Sequence, residues 1–359
     1  MTPTFTTGKL KSLASPIDKI ANDTLDYLEN KHQGNPEMDM IPIIKGFAFD
    51  VIAKITFGMD TRAHRGEDQE FANLAMSIVE GFDGSSLTNV IFFNIANHFP
   101  IIVEKLGLFG DAADKITKLT HDVIAQRQKN NTPDIGDFAD RLREFKKVAS
   151  PPITDSMIDA QGMIFLLAGL DTIAMTLGAM IYALATNPEI QEIIHQEIVD
   201  EISSDEVNHE NVSKLAYLEA AICETLRMYP PSNDHVRVCT KDATVQGMPI
   251  RKGVHIHMPT YAAHYNPDFF PEPNVFRPER FLKDNADDLI PYTWRPFGSG
   301  LRVCVGQRFA MLEVKIFMAK FLSKYKLIAT SSTKMDVPLG SGVFFLVNIS
   351  EMVAKIEKR

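Results

Sequence analysis

The sequence predicts a mainly α protein with a small β portion, and three observations carry that prediction. Apolar residues recur three and four apart over 15–30, 37–58, 66–82 and 112–130. A nearly unbroken apolar stretch fills 154–186, and the period shortens to alternation between 236 and 257. The first pattern gives each helix one apolar face, because a 3.6-residue repeat brings i, i+3, i+4 and i+7 together. The second suits a helix buried on all sides, and alternation sends successive side chains to opposite faces of a strand.

Taken in order, the first third is a series of amphipathic helices, interrupted by a polar loop at 129–136 and a second at 148–152 with the paired prolines Pro151 and Pro152. A helix over 154–186 would be roughly 50 Å long at about 1.5 Å per residue. It starts at a Thr154/Asp155 cap and ends at Asn187-Pro188. Gln161 and Asp171 lie inside it, and a carboxylate at mid-span is costly in lipid, so a buried central helix is expected rather than a membrane span. Two further helices follow at 188–204 and 213–228, with Asn187 and Ser213 as N-caps. Strands are expected at 236–238, 243–245 and 254–257, with a turn at Gln246-Gly247. The stretch 265–281 carries Pro267, Pro271, Pro273 and Pro278; it suits neither regular helix nor central strand and must be held by side chains. An amphipathic helix at 307–325 and a closing strand at 344–348 complete a single domain, 1–359, with β-rich portions at about 236–260 and 326–359.

Bulk properties narrow the function. Lys and Arg number 37 against 46 Asp and Glu, a formal charge of -9, which argues against a nucleic-acid binder because phosphate neutralisation needs a basic face. Cys223, Cys239 and Cys304 include no Cys-x-x-Cys pair, which disfavours a disulfide scaffold, a zinc ribbon or thioredoxin-like chemistry. The ten histidines show no His-x-x-x-His metal spacing. The first residues have no apolar core of a signal peptide and no run long enough for an anchor.

The most informative string runs from Phe297 to Gly306: Phe-Gly-Ser-Gly-Leu-Arg-Val-Cys-Val-Gly, directly before a helix. Backbone N–H groups and the dipole at a helix N-terminus favour a thiolate at Cys304, as an iron ligand requires. Gly298, Gly300 and Gly306 let the backbone turn tightly against a flat ligand. A lone cysteine is more often inert packing; the spacing around this one favours a ligand. Glu224 and Arg227 share a helix face at i and i+3 among apolar neighbours, and such a buried pair needs further partners, which Arg280 can supply. In the central helix, Thr172 can bond back to a carbonyl one turn earlier, Gly169 leaves room for a small ligand or water, and Asp171 beside an alcohol forms a proton relay or a pair satisfied by backbone.

At these strings the sequence resembles the cytochrome P-450 family. Its haem loop reads Phe-x-x-Gly-x-Arg-x-Cys-x-Gly, and every fixed position is matched here, as are Ala-Gly-x-Asp-Thr at 168–172 and Glu-x-x-Arg at 224–227. Ile173 departs from the Thr or Ser often found there. The resemblance implies a P-450 fold holding haem b, with Cys304 as the axial iron ligand, Arg302 and Arg237 on its propionates, and Phe297, Gly298 and Gly306 shaping its seat. Asp171 and Thr172 would deliver protons to iron-bound oxygen, while Glu224, Arg227 and Arg280 would fix the proline-rich segment. A haem-thiolate monooxygenase of this kind inserts one atom of O2 into a small lipophilic substrate, with electrons from NADPH-cytochrome P-450 reductase. Arg302, Arg308 and Lys315 are candidates to face that partner.

The strings at 2–10 and 296–300 resemble the animal microsomal branch, which includes drug- and steroid-oxidising enzymes and thromboxane synthase. That likeness implies an endoplasmic reticulum location with peripheral membrane contact, and keeps open an isomerase that needs no external electrons. It also aligns the first residues inside the family's third main helix, so an N-terminally truncated copy is expected, without anchor, pocket roof or the Trp and Arg that hold a propionate. Exposed apolar surface near the pocket, and a non-catalytic or haem-free fragment, are the alternatives that follow. The polar run Ser232-Asn233-Asp234-His235 points to a substrate with a polar group.

Overall fold

The computed structural model describes residues 7–32, 37–67, 152–202, 207–334 and 351–359, together with isolated positions between 72 and 147 and at 349. The expected helices at 66–82 and 112–130 and the strand at 344–348 lie largely or wholly outside the described residues.

The first helix, α1 (Thr7–His32), buries Leu10, Ala14, Ile17, Ala21, Leu25 and Leu28, a stripe at three- and four-residue spacing. The expected helix at 37–58 begins later, because Glu37–Asp39 is a strand, β1, and α2 spans Ile41–Phe57. Asp39 turns the chain between them: its Oδ1 accepts from Ile41 N at 3.0 Å and from Met352 N at 2.9 Å. Gly58, at φ 67, closes α2 in the left-handed region and donates to Lys54 O.

The central helix is α3 (Asp155–Thr186), with Thr154 accepting from Met157 N as foreseen. It is long and apolar enough to cross a membrane, yet it packs on α2 and buries Leu166, Leu170, Leu177, Ile181 and Leu184. Next come α4 (Pro188–Glu201), the short α5 (His209–Val212) and α6 (Ala216–Met228). Two caps differ from expectation. Asn187 turns its amide back onto Ala183 O at 2.7 Å instead of capping α4, and Ser213 closes α5, so α6 starts three residues later, where Tyr217 N and Leu218 N donate to the Glu197 carboxylate at 2.7 and 2.9 Å. Asn208 caps α5 through Glu210 N and Asn211 N, while Ser213 Oγ at the other end donates to Glu210 O at 2.7 Å.

The small strands are β2 (Asp234–Val238), β3 (Ala243–Val245), β4 (Met248–Ile250) and β5 (His255–Pro259), paired antiparallel as β2 with β5 and β3 with β4. A short helix, α7 (Thr260–His264), leads into the proline-rich segment, and α8 (Gln307–Lys324) follows the cysteine loop. The expected amphipathic character of α8 is not what the fold uses. Packing against α1, α4 and α6 buries it nearly all round, with Glu313, Lys315 and Lys320 inside. Lys315 pairs with Glu219 and Lys320 with Asp18 Oδ1 at 3.0 Å, whereas Glu313 Oε1 has no hydrogen-bond partner among the described residues. β6 (Tyr325–Ile328) and β7 (Val353–Lys358) then form a sheet in the order β1-β7-β6.

Candidate functional site

A cavity of about 410 Å³ lies between α3 and the loop that precedes α8. Ala168, Gly169, Thr172 and Thr176 form its α3 wall, while Phe297, Arg302, Cys304 and Gly306 face it from the loop. Ile52, Ile222, Leu226, Phe309 and Val314 make the remainder apolar, so polar atoms stand out individually.

The loop is shaped by its own backbone. Cys304 N donates to Phe297 O at 2.8 Å, closing the segment on itself, and Gly298 and Gly300 adopt φ of 73 and 70, where a side chain is strained. A Cβ on Gly298 would also lie 3.3 Å from the His235 ring. Gly306 starts α8, and a Cβ there would sit 4.0 Å from Cys304 Sγ. The sulfur is open to the cavity. Its electrostatics correct the expected thiolate: apolar surroundings push the Cys304 thiol up, and the backbone N–H groups of Gly306 and Gln307 lower it by less. A bound metal cation beside the sulfur would favour the thiolate.

On the opposite wall, Thr172 donates Oγ1–H to Ala168 O at 2.6 Å, the back-bond expected of a mid-helix Thr. Asp171 lies beside it on α3 but does not line the cavity. Gly169 faces the cavity, yet the space for its missing Cβ is taken by Ile52, whose Cδ1 would be 2.7 Å away; it serves close packing of α2 on α3 rather than leaving room for a ligand.

Behind the loop, the Glu224 trio is assembled as expected. Arg227 donates Nε to Glu224 Oε2 at 2.7 Å and Nη2 to Oε1 at 2.8 Å, a bidentate pair with both side chains fully buried. Arg280 Nε reaches Oε1 at 3.4 Å, and Arg277 N donates to the same oxygen at 3.0 Å. Arg227 also donates to His264 O and Pro273 O, both at 2.9 Å, and Arg280 Nη2 to Glu272 O at 2.9 Å. Side chains thus hold the segment that proline keeps out of helix and sheet.

Two residues of the site, His264 and Trp294, escaped the sequence, and a third, His235, belongs to the polar run expected at the pocket. His264 is buried, donates Nδ1–H to Arg227 O at 2.9 Å and accepts from Arg295 N at 3.0 Å through Nε2, so it ties α6 to the residue before the cysteine loop. Burial pushes its pKa down to about 3, and the ring stays neutral. Trp294 donates Nε1–H to Cys223 O at 3.1 Å and packs on Phe281 and Phe297. His235 lines the cavity with Ser232, and its Nδ1 meets Thr260 Oγ1 at 2.7 Å. Arg237, two residues on in β2, does not line the cavity, and its Nη1 donates to Val236 O at 2.9 Å. Lys315, expected at a partner surface, is buried against Glu219, because α8 turns that face toward α6. Apolar surface does border the loop, where Leu301, Val303 and Val305 are exposed.

The donor set fits one kind of metal centre. No group of three or more His, Cys, Asp or Glu that could hold an ion occurs among the described residues, so the single sulfur suits a metal that brings its other ligands with it. An apolar cavity edged by Arg302 and by glycine-cleared backbone is what a flat, carboxylated macrocycle needs.

Comparison with known proteins agrees with this donor set. A family model described as cytochrome P450 matches residues 1–353. Cytochrome P450 3A16 of Mus musculus is 29% identical over 369 residues, covering 100% of this chain and 72% of its own length. Cytochrome P450 3A31 of Mesocricetus auratus is 31% identical, covering 94% of this chain and 68% of its own length. Lithocholate 6-beta-hydroxylase of Mesocricetus auratus is 28% identical, covering 93% and 68%.

Proposed function

Because this chain belongs to the cytochrome P450 family, whose members bind haem b and act as monooxygenases, we propose that Cys304 is its iron ligand and that substrate is oxygenated between Cys304 and Thr172. The observation that carries the reading is the cavity itself, with one sulfur on one wall and one helix hydroxyl on the other. When bound, the haem supplies the redox-active iron at which O2 is activated. One oxygen atom enters the substrate and the other leaves as water, which consumes two protons and two electrons.

The chain's own residues have distinct tasks in this reading. Arg302 and Arg237 bind the propionates, Phe297, Gly298 and Gly306 shape the seat, and the apolar wall of Ile52, Phe309 and Val314 excludes bulk water. Thr172 Oγ1 holds a proton at the cavity face of α3, and Asp171 replenishes it from the solvent side. Glu224, Arg227 and Arg280 act on geometry, through the segment that precedes the loop. Electrons come from NADPH-cytochrome P450 reductase, docking on the exposed side of the loop near Arg302 and Arg308, at the endoplasmic reticulum membrane with peripheral contact. The substrate is a small lipophilic molecule, and His235 offers it one polar contact; the hydroxylase name among the relatives favours oxygenation over isomerisation.

The test is the carbon-monoxide difference spectrum of the reduced protein after expression with haem precursor. A thiolate-type Soret band that Cys304→Ser abolishes is expected. Absence of that band in the parent would sink the reading in favour of a haem-free protein. Turnover that is independent of reductase and NADPH would instead identify an isomerase.

A further inference from the structure

Arg295 stands directly before the cysteine loop, and none of the roles above uses its side chain. Its backbone is fixed, since N–H donates to His264 Nε2 at 3.0 Å. The guanidinium is in the opposite condition. Nε is buried without a hydrogen-bond partner, and the group forms no ion pair among the described residues. The side chain as a whole is half-buried, but a buried donor atom left unsatisfied is costly, and an acceptor at Nε would explain its position.

Two other arginines lie nearby: Arg302 lines the cavity, whereas Arg237, like Arg295, stands behind its wall. Arg237 lies two residues from His235 in β2, on the same strand face, and Arg302 lines the cavity with that histidine. The His235 ring marks their convergence: after burial, the charges of Arg237 and then Arg295 are what press it toward its neutral form. The same ring lies 3.3 Å from where a Cβ on Gly298 would be, which places the cluster against the loop. Among the described residues none of the three arginines has a carboxylate partner, in a chain where acidic residues outnumber basic ones 46 to 37. Asp234 also acts on this ring but is paired with His257, so three arginines face one acid, and a ligand with two carboxylates supplies further negative charge.

We infer that Arg295 is a carboxylate anchor of the haem, binding a propionate together with Arg237 and Arg302. The inference rests on the haem reading above. It assigns Arg295 a chemical role that its neighbours in the motif do not share: Trp294 and Pro296 position the loop, and Arg295 recognises charge.

The experiment titrates the full-length, haem-free protein with haemin and, separately, with haemin dimethyl ester, in which both carboxylates are masked, following the Soret band. In Arg295→Leu, haemin affinity is expected to fall about tenfold or more, while affinity for the diester changes by less than about twofold. Arg295→Lys should recover part of the loss. Equal losses for both ligands would mean that Arg295 only supports the loop, and no loss for either would mean that it touches no propionate; both results overturn the inference. Should Arg295→Leu fail to give the parent's circular dichroism, Arg295→Gln carries the same comparison. A parent that binds no haemin takes down the haem reading and this inference together, whereas normal haemin binding with an unchanged ratio removes the inference alone.

Discussion

Lowering the pH should destabilise this fold through one imidazole. His264 is fully buried, its Nδ1–H is committed to Arg227 O and its Nε2 accepts from Arg295 N, so there is no acceptor for a second proton. Burial holds its folded pKa near 3, against 6.5 in the unfolded chain. Between those values the unfolded state binds the proton and the folded state does not. The stability this residue contributes is therefore present above about 6.5 and is lost as pH falls. At about pH 5, the distance from 6.5 corresponds to about 2 kcal/mol, a sizeable share of the 5–15 kcal/mol typical of a domain. Urea unfolding followed by circular dichroism, at about pH 8 and about pH 5, measures the loss in the parent. His264→Asn keeps a donor toward Arg227 O but cannot titrate, so the difference between the two pH-dependent losses isolates the imidazole. Equal losses in parent and variant would refute the reasoning, since other titrating groups cancel in the subtraction.

Three further outcomes are expected. Glu224→Ala, which strips Arg227, Arg280 and Arg277 N of a shared buried acceptor, should cost about 3–5 kcal/mol in urea unfolding, and a loss below about 1 kcal/mol would show that the cluster relaxes. Gly298→Ala, at φ 73 and against His235, should cost about 1–2 kcal/mol and lower the fraction of protein carrying haem, measured as the Soret-to-protein absorbance ratio. Glu313 is buried with its pKa raised well above 4.5, so the stability tied to its neutral form is complete below that value and lost as pH rises. Glu313→Gln should therefore raise the thermal midpoint at neutral pH, with the gain shrinking toward about pH 4; a midpoint lowered at neutral pH contradicts this.

What could be read from the sequence followed the range of the forces involved. The cysteine loop was legible because its demands are local: positive φ at Gly298 and Gly300, and a helix start at Gly306, leave a fixed spacing in the chain. The long α3 was legible because burial on all sides leaves no polar stripe, and Thr154 caps it within three residues. His264, Trp294 and Arg295 were not. Each acts through a partner distant in sequence, Arg227, Cys223 or an absent acceptor, and nothing in the neighbouring residues announces it. The buried Lys315 misled for the same reason: its anion, Glu219, sits on another helix, so a charge in a helical pattern looked solvated. Strand β1 was lost inside a helical pattern because its partner is the distant β7.

That last pairing has a consequence for how the chain comes to fold. β7 lies between β1 and β6, with Met38 opposite Ala354 and Leu327 opposite Ile356. During synthesis, β1 emerges long before β7 and cannot pair with it until Val353–Lys358 leave the ribosome. Its amides must stay hydrated, or shielded by a chaperone, for that interval. Closure of the sheet joins residues far apart in the sequence, so it belongs among the late and slow events. A nascent chain stalled before Val353 would expose both strand edges, and protease sensitivity near Glu37–Asp39 should persist until β7 pairs.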